Sequence, residues 1–208
     1  MRTFEDRRCR DLSGDRRTGQ SWQDRFCRMS ERHGCVCEDK QKSKDVAAVA
    51  SFEGRKLILP DIQLCKNGVT VLPEIKHKSP TNHGQYGWEE YRLSDCVEYA
   101  RQSGLQVIMA IHDWSLAGSK ENEINDISHW RWADVIEMDR QFDYRNPEGK
   151  TWRAGKPCTT PVLYWNTSRF LPLLTHPFFV DGEKDRKPSP RRDPSRPSSR
   201  QTTFVFDR

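Results

Sequence analysis

The chain has no apolar run approaching the length needed to cross a bilayer, and its arginine-rich start is not followed by an apolar stretch. Neither a membrane anchor nor a secretory leader is expected. Apolar residues are scarce throughout: 34% of the 208 residues are hydrophobic, 31% are charged, and mean hydropathy is -0.92. A chain this polar does not pack entirely into one core, so part of it is expected to be unpacked. The seven cysteines are odd in number and lack the spacing of a disulfide framework, which favours a reducing, intracellular (cytoplasmic) compartment. The phosphate-cradling Walker A loop, the dinucleotide fingerprint and the G-x-S-x-G elbow are all missing. Net charge is only +5, with a pI of about 8.8, a mild hint of a polyanionic partner.

What is present divides into three parts. Residues 1–18 mix Arg and Asp with few apolar side chains and read as a mobile arm. Residues 19–181 read as one folded domain. Within it a helix is predicted over 20–32, where Trp22, Phe26 and Met29 make one buried stripe and Gly34 is a stop. A weak strand falls at 46–52, and a polar loop at 77–87. A second helix is predicted over 88–102, with Leu93, Cys96, Val97 and Ala100 on one face and Gly104 at its end. The nearly continuous apolar run 105–113 reads as a strand buried on both faces. Residues 134–138 and 162–165 are shorter strand candidates. From residue 182 the composition changes: Pro188, Pro190, Pro194 and Pro197 alternate with Ser and Arg, and residues 183–208 hold eight Lys or Arg against four Asp or Glu. Such a segment does not fold alone. Its apolar end, 201–206, reads equally as a docking peptide for a protein partner, a last strand returning to the domain, or a plain tail.

The most informative stretch is 57–76. Two strand-like runs flank Asn67-Gly68, a strong hairpin signal. With Asn67 and Gly68 as the two loop residues, Lys66 pairs with Val69 and Asp61 falls opposite Glu74. Alternation then puts Lys76 on the face of Glu74. Ile58, Ile62, Leu64, Val71 and Ile75 gather on the other face as core. Like charges opposed across a ladder are destabilising, so Asp61 and Glu74 together ask for a cation. Lys76 provides one charge and a bound metal could provide more. The plain alternative is an exposed hairpin face carrying ordinary charges.

Pro60-Asp61 followed by Glu74-Ile-Lys76 resembles the PD-(D/E)XK nuclease superfamily, which includes restriction endonucleases, lambda-type exonucleases and archaeal Holliday-junction resolvases. The resemblance spans about residues 19–114 and includes the helix, hairpin, helix and buried strand in that order. It implies an α/β fold, a restriction-endonuclease-like mixed β-sheet flanked by helices. It also implies a phage exonuclease or resolvase type of enzyme: a magnesium-dependent nuclease, with manganese as substitute, hydrolysing DNA phosphodiester bonds in repair, recombination or phage replication. Asp61, Glu74 and the backbone carbonyl of Ile75 would hold the metal, which suits hard oxygen donors. Lys76 would position or help deprotonate the attacking water, and Lys78 would touch a phosphate. Many members carry a glutamate on the first helix. Here that point is Gln23, near the rim of the buried stripe, while Asp24 faces solvent. Gln85 and Glu89 are candidates for contact with the scissile phosphate, or else for capping the second helix. A homo-oligomer is a further expectation from the family.

The remaining polar clusters read more plainly. His33-Gly-Cys35-Val-Cys37 offers zinc-type ligands but no second matching pair. His112-Asp113 ends the buried strand and reads as an edge histidine beside the site. Tryptophans at 88, 114, 130, 132, 152 and 165 read as core and loop anchors, with stacking on bases as the alternative. Two other functions stay open: a nuclease-like fold used only to bind nucleic acid or protein, which the glutamine at position 23 favours, and an RNA-processing endonuclease.

Overall fold

The computed structural model describes residues 12–40, 49–52, 54–116, 127–153 and 156–180. In chain order its elements are α1 (Leu12–Arg32), β1 (Val36–Asp39), β2 (Val49–Phe52), β3 (Arg55–Ile58), β4 (Ile62–Lys66), β5 (Val69–Lys78), β6 (Gln85–Glu89) and α2 (Glu90–Ser103). There follow β7 (Gln106–Asp113), β8 (Trp130–Asp134), α3 (Val135–Arg140), β9 (Tyr144–Asn146), β10 (Lys150–Arg153), β11 (Lys156–Thr159), β12 (Val162–Asn166), β13 (Leu171–Pro172) and α4 (Pro177–Val180).

The Asn67-Gly68 turn organises the sheet. Both residues have positive φ, 51° and 77°, the geometry of a two-residue hairpin whose twist matches its strands. The six-stranded sheet runs β1-β4-β5-β7-β8-β13. β5 and β7 are parallel and joined by α2, as a crossover requires, and the other pairings are antiparallel. This is the mixed sheet flanked by helices that the resemblance implied. Alternate residues of β5 and β7 feed two cores. Val71, Ile75, Ile108 and Ala110 pack with Trp22, Phe26 and Met29 of α1. Leu72, Val107, Met109 and Ile111 pack with Leu93, Cys96, Val97 and Ala100 of α2. Burial on both faces explains the unbroken apolar run that forms β7.

A three-stranded sheet, β6-β12-β9, covers one side of the α2 core with Tyr86, Trp88, Leu163 and Trp165. It depends on Gly149, whose carbonyl accepts from Thr160 N at 2.8 Å. A β-carbon there would lie 2.4 Å from Val162 Cγ2 and 2.8 Å from the Thr160 carbonyl. Backbone cannot swing aside as a side chain can, so Gly149→Ala is expected to cost about 1–3 kcal/mol, read as a lower denaturation midpoint with an unchanged slope.

Several boundaries differ from the sequence reading. α1 begins at Leu12 rather than at residue 20, and the weak strand is β2, Val49–Phe52. The polar loop at 77–87 is shorter than expected, because β5 continues to Lys78 and β6 starts at Gln85. Residues 134–138 do not form a strand. Asp134 ends β8, and its carboxylate accepts from Ile136 N and Glu137 N, capping α3. Ile58 lies in β3, half-buried in the separate β2–β3 hairpin, rather than in the core with Ile62 and Leu64. Cys27 and Cys37 form a disulfide joining α1 to β1, against the reading of the cysteines as reduced thiols. Residues 1–11 of the expected arm and the whole of 182–208 lie outside the described residues. No described helix is long and apolar enough to cross a membrane.

Candidate active site

The hairpin has the expected register: Lys66 pairs with Val69, Cys65 with Thr70 and Leu64 with Val71. Continued one way, that register sets Asp61 opposite Glu74. The regular ladder ends first, at Leu64 and Val71, and Asp61 follows Pro60 just outside β4. Its side chain takes over where the backbone pairing stops: Asp61 Oδ2 accepts from Ile75 N at 2.8 Å. Lys40 N donates to the Asp61 carbonyl at 3.1 Å, fixing the same residue from the β1 side.

Glu74 is 1% exposed and held by two cations. Lys76 Nζ donates to its Oε1 at 2.6 Å. Arg92 Nε donates to Oε1 at 3.0 Å, and Arg92 Nη2 donates to Oε2. Arg92 is itself buried, and its remaining donors reach the carbonyls of Ile58 at 2.8 Å and Leu59 at 2.7 Å. One guanidinium therefore ties Glu74 to the two residues that precede Pro60-Asp61.

Burial and these neighbours set the carboxylates apart. Burial pushes Asp61 up, Glu74 adds to the push, and Lys76, Arg92 and the Ile75 N–H only partly offset it, leaving its pKa at about 6. Burial also opposes charge on Glu74, but Arg92 and then Lys76 outweigh it and hold its pKa at about 2. For Lys76, burial disfavours the ammonium, yet Glu74 and then Asp61 outweigh burial and raise its pKa above the ordinary lysine value. The amine stays charged. It can donate hydrogen bonds and offset negative charge, and in this state it is no base.

The other candidates scatter. Gln23 lies on α1, on the sheet face opposite to Glu74 and Lys76. It is buried, and its Oε1 has no hydrogen-bond partner. Gln20, one turn earlier, bonds Asp39 at 2.7 Å, and Asp39 pairs with Ile62. This turn of α1 therefore lies beside the start of β4. Asp24 is exposed, as expected. Lys78 donates to the Gly87 carbonyl, and burial lowers its pKa against the pull of Glu89. Gln85 opens β6 and pairs with Asn166. Glu89 occupies the N-cap position of α2 without a side-chain capping bond. Neither residue caps the helix with its side chain, contrary to that alternative.

His112 is buried, with its Nδ1 3.2 Å from His77 Nδ1 and its Nε2 without a partner. Asp113 accepts from Tyr86 Oη and from Ser115 N and Oγ. Trp88, Trp130 and Trp165 are fully buried core, while Trp114 is exposed. Cys37 is consumed by its disulfide, and burial pushes the Cys35 thiol up to about 11, so the zinc reading of that segment fails. Among the described residues no group of three or more His, Cys, Asp or Glu is placed to hold a metal.

Sequence reasoning missed Arg92. A signal existed: Arg92 lies four residues before Cys96 and eight before Ala100, on the buried stripe of α2. An arginine on a core-facing stripe needs a buried carboxylate, and Glu74 is that carboxylate.

No protein-family model matches the chain, and no curated protein sequence matches it. Among solved structures it is similar to Archaeoglobus fulgidus Hjc, a Holliday junction resolvase from an archaeal hyperthermophile. Identity is 13% over 74% of this chain and 94% of that one, with a TM-score of 0.43.

Proposed function

We propose that the chain is a metal-dependent nuclease that hydrolyses DNA phosphodiester bonds at Asp61, Glu74 and Lys76. The observation that carries this reading is the buried pair of carboxylates with an ammonium 2.6 Å from one of them, all fixed by β5 and its neighbour. An intracellular setting belongs to the same proposal.

The residues fit a magnesium or manganese ion. Magnesium takes one or two carboxylates, completes its shell with waters and substrate phosphate, and needs no third acidic ligand. Asp61 is a buried carboxylate whose proton affinity is raised first by burial and then by Glu74, so a cation beside it would favour its charged form. Asp61, Glu74 and the Ile75 carbonyl would hold the ion, which when bound polarises the phosphate and acidifies water. The chain's own residues do the rest. The Ile75 N–H orients Asp61. Arg92 keeps Glu74 ionised and fixed. Lys76, charged and partly exposed, meets the negative charge that grows on the phosphate. Lys78, further along β5 on the same face, would meet a flanking phosphate.

The deciding experiment incubates the protein with linear, circular, single-stranded and branched DNA and with RNA, in magnesium, manganese or EDTA. Metal-dependent cleavage is expected, falling by about 10²–10³-fold in Lys76→Ala and Asp61→Asn. Cleavage that survives both substitutions rejects the site. Cleavage confined to RNA replaces DNA by RNA as substrate.

One observation favours a second reading. Arg92 engages both oxygens of Glu74, so Glu74 is neutralised without any metal. A nuclease-like fold kept as a nucleic-acid binding module would look the same. It would give salt-sensitive binding with no cleavage of any substrate.

A further inference from the structure

Arg92 changes the charge balance of the site. Asp61 and Glu74 carry two negative charges, and Lys76 and Arg92 carry two positive ones. All four are linked through Glu74 contacts and the backbone that precedes and follows Asp61. With Lys76 alone the cluster would be net negative and would attract a divalent ion. With Arg92 it is neutral. Arg92 is also fully engaged, since its described bonds use Nε, Nη1 and Nη2. It cannot turn away without leaving the Ile58 and Leu59 carbonyls unpaired, so the neutralisation is built in.

Resting on the nuclease reading, we propose that Arg92 is an internal counter-ion which makes metal binding depend on substrate: the free protein holds a divalent ion weakly, and the phosphodiester's negative charge completes the site. A dication entering a neutral cluster gains little, because each attraction to a carboxylate is offset by repulsion from a cation. A phosphate beside the ion restores the missing negative charge. Metal and DNA then raise each other's affinity by the same factor.

The test is Mn²⁺ binding followed by electron paramagnetic resonance, which needs no turnover. Arg92→Gln removes one positive charge from a buried cluster and is expected to tighten Mn²⁺ binding to the free protein by about tenfold or more. Arg92→Lys keeps the charge and is expected to bind as the wild type does. A short duplex with phosphorothioate linkages, charged and resistant to hydrolysis, is expected to tighten wild-type Mn²⁺ binding. A methylphosphonate duplex, which is neutral, is not. Asp61→Asn in the Arg92→Gln background should abolish the gained binding and so localise it. Near-ultraviolet circular dichroism checks that Arg92→Gln is folded, and if it is not, the two duplexes with wild type decide alone.

If wild type binds Mn²⁺ equally well with and without the charged duplex, and Arg92→Gln leaves that affinity unchanged, the counter-ion role is wrong and the metal site stands. If no Mn²⁺ binds in any variant, with or without DNA, the metal reading itself falls.

Discussion

Arg92→Ala is expected to lose about 3–5 kcal/mol of folding stability. Glu74 is 1% exposed, and Arg92 meets both of its oxygens. Removing the guanidinium leaves a buried carboxylate with Lys76 as its one remaining cation. The carbonyls of Ile58 and Leu59 also lose their donor, at about 1 kcal/mol or more each where water cannot reach them. A double-mutant cycle separates the causes. In Glu74→Met/Arg92→Met both charges leave together, so the double variant should be more stable than Arg92→Ala, because replacing a buried ion pair is far cheaper than breaking one. Recovery should be incomplete, since the two carbonyls stay without a partner. Urea denaturation of the wild type, the single and the double variant measures this. Equal losses in single and double would mean that packing around the long side chain, rather than an orphaned charge, is what Arg92 contributes.

Asp61→Asn is expected to do the reverse and stabilise the protein at neutral pH. The folded-state pKa of Asp61 is raised to about 6 from an ordinary 3.8. Above pH 6 the residue is charged in both states, and the folded state carries the full penalty of burying that charge and holding it beside Glu74. As the pH falls from 6 toward 3.8 the folded protein takes up the proton first and the penalty fades. The difference between variant and wild type should therefore be largest near pH 7.5, at most about 3 kcal/mol, and small near pH 4. An asparagine Oδ1 can still accept the Ile75 N–H, so the geometric role is kept. Glu74 runs the other way: its pKa is depressed to about 2 from 4.5, so its contribution is present above pH 4.5 and lost as pH falls toward 2. Wild-type stability should accordingly rise from pH 6 to about 4 and then fall. A variant less stable than wild type at pH 7.5, or a difference independent of pH, would show that Asp61 is not under strain. If the proposed nuclease function holds, Asp61 is kept at a cost to stability because the reaction centre demands it.

How much of this was legible in the sequence follows from which interactions are local. The Asn67-Gly68 turn fixes register locally, so the pairing of Lys66 with Val69 could be read directly, while the ladder ends at Leu64 and Val71 before it reaches Asp61. The α1 stripe of Trp22, Phe26 and Met29 and the doubly buried β7 were legible for the same reason, since periodicity and composition are local signals. The misread segment 134–138 was decided by one side chain: Asp134 caps a helix that its apolar neighbours alone would equally have let form a strand. Ile58 was lost because the chain leaves the ladder at Leu59-Pro60, an exit that Pro60, which cannot donate to a ladder, already signals. Arg92 was lost because its partners lie 18, 33 and 34 residues away. The Cys27–Cys37 bond joins residues from a helix and a strand whose docking no spacing rule predicts. Gln23 was placed by helical geometry near the rim of the buried stripe of α1, and it is buried. What it serves there depends on groups that helical geometry does not bring to it.

The bond from the Ile75 amide to Asp61 has a use of its own. A main-chain proton in the middle of β5 is held by a side chain instead of by a neighbouring strand, so its exchange with solvent reports the swinging of that one carboxylate rather than the fraying of the sheet. Residue 75 thus carries a natural isotope-exchange probe of residue 61, and a cation bound at Asp61 would be written in the lifetime of a single amide.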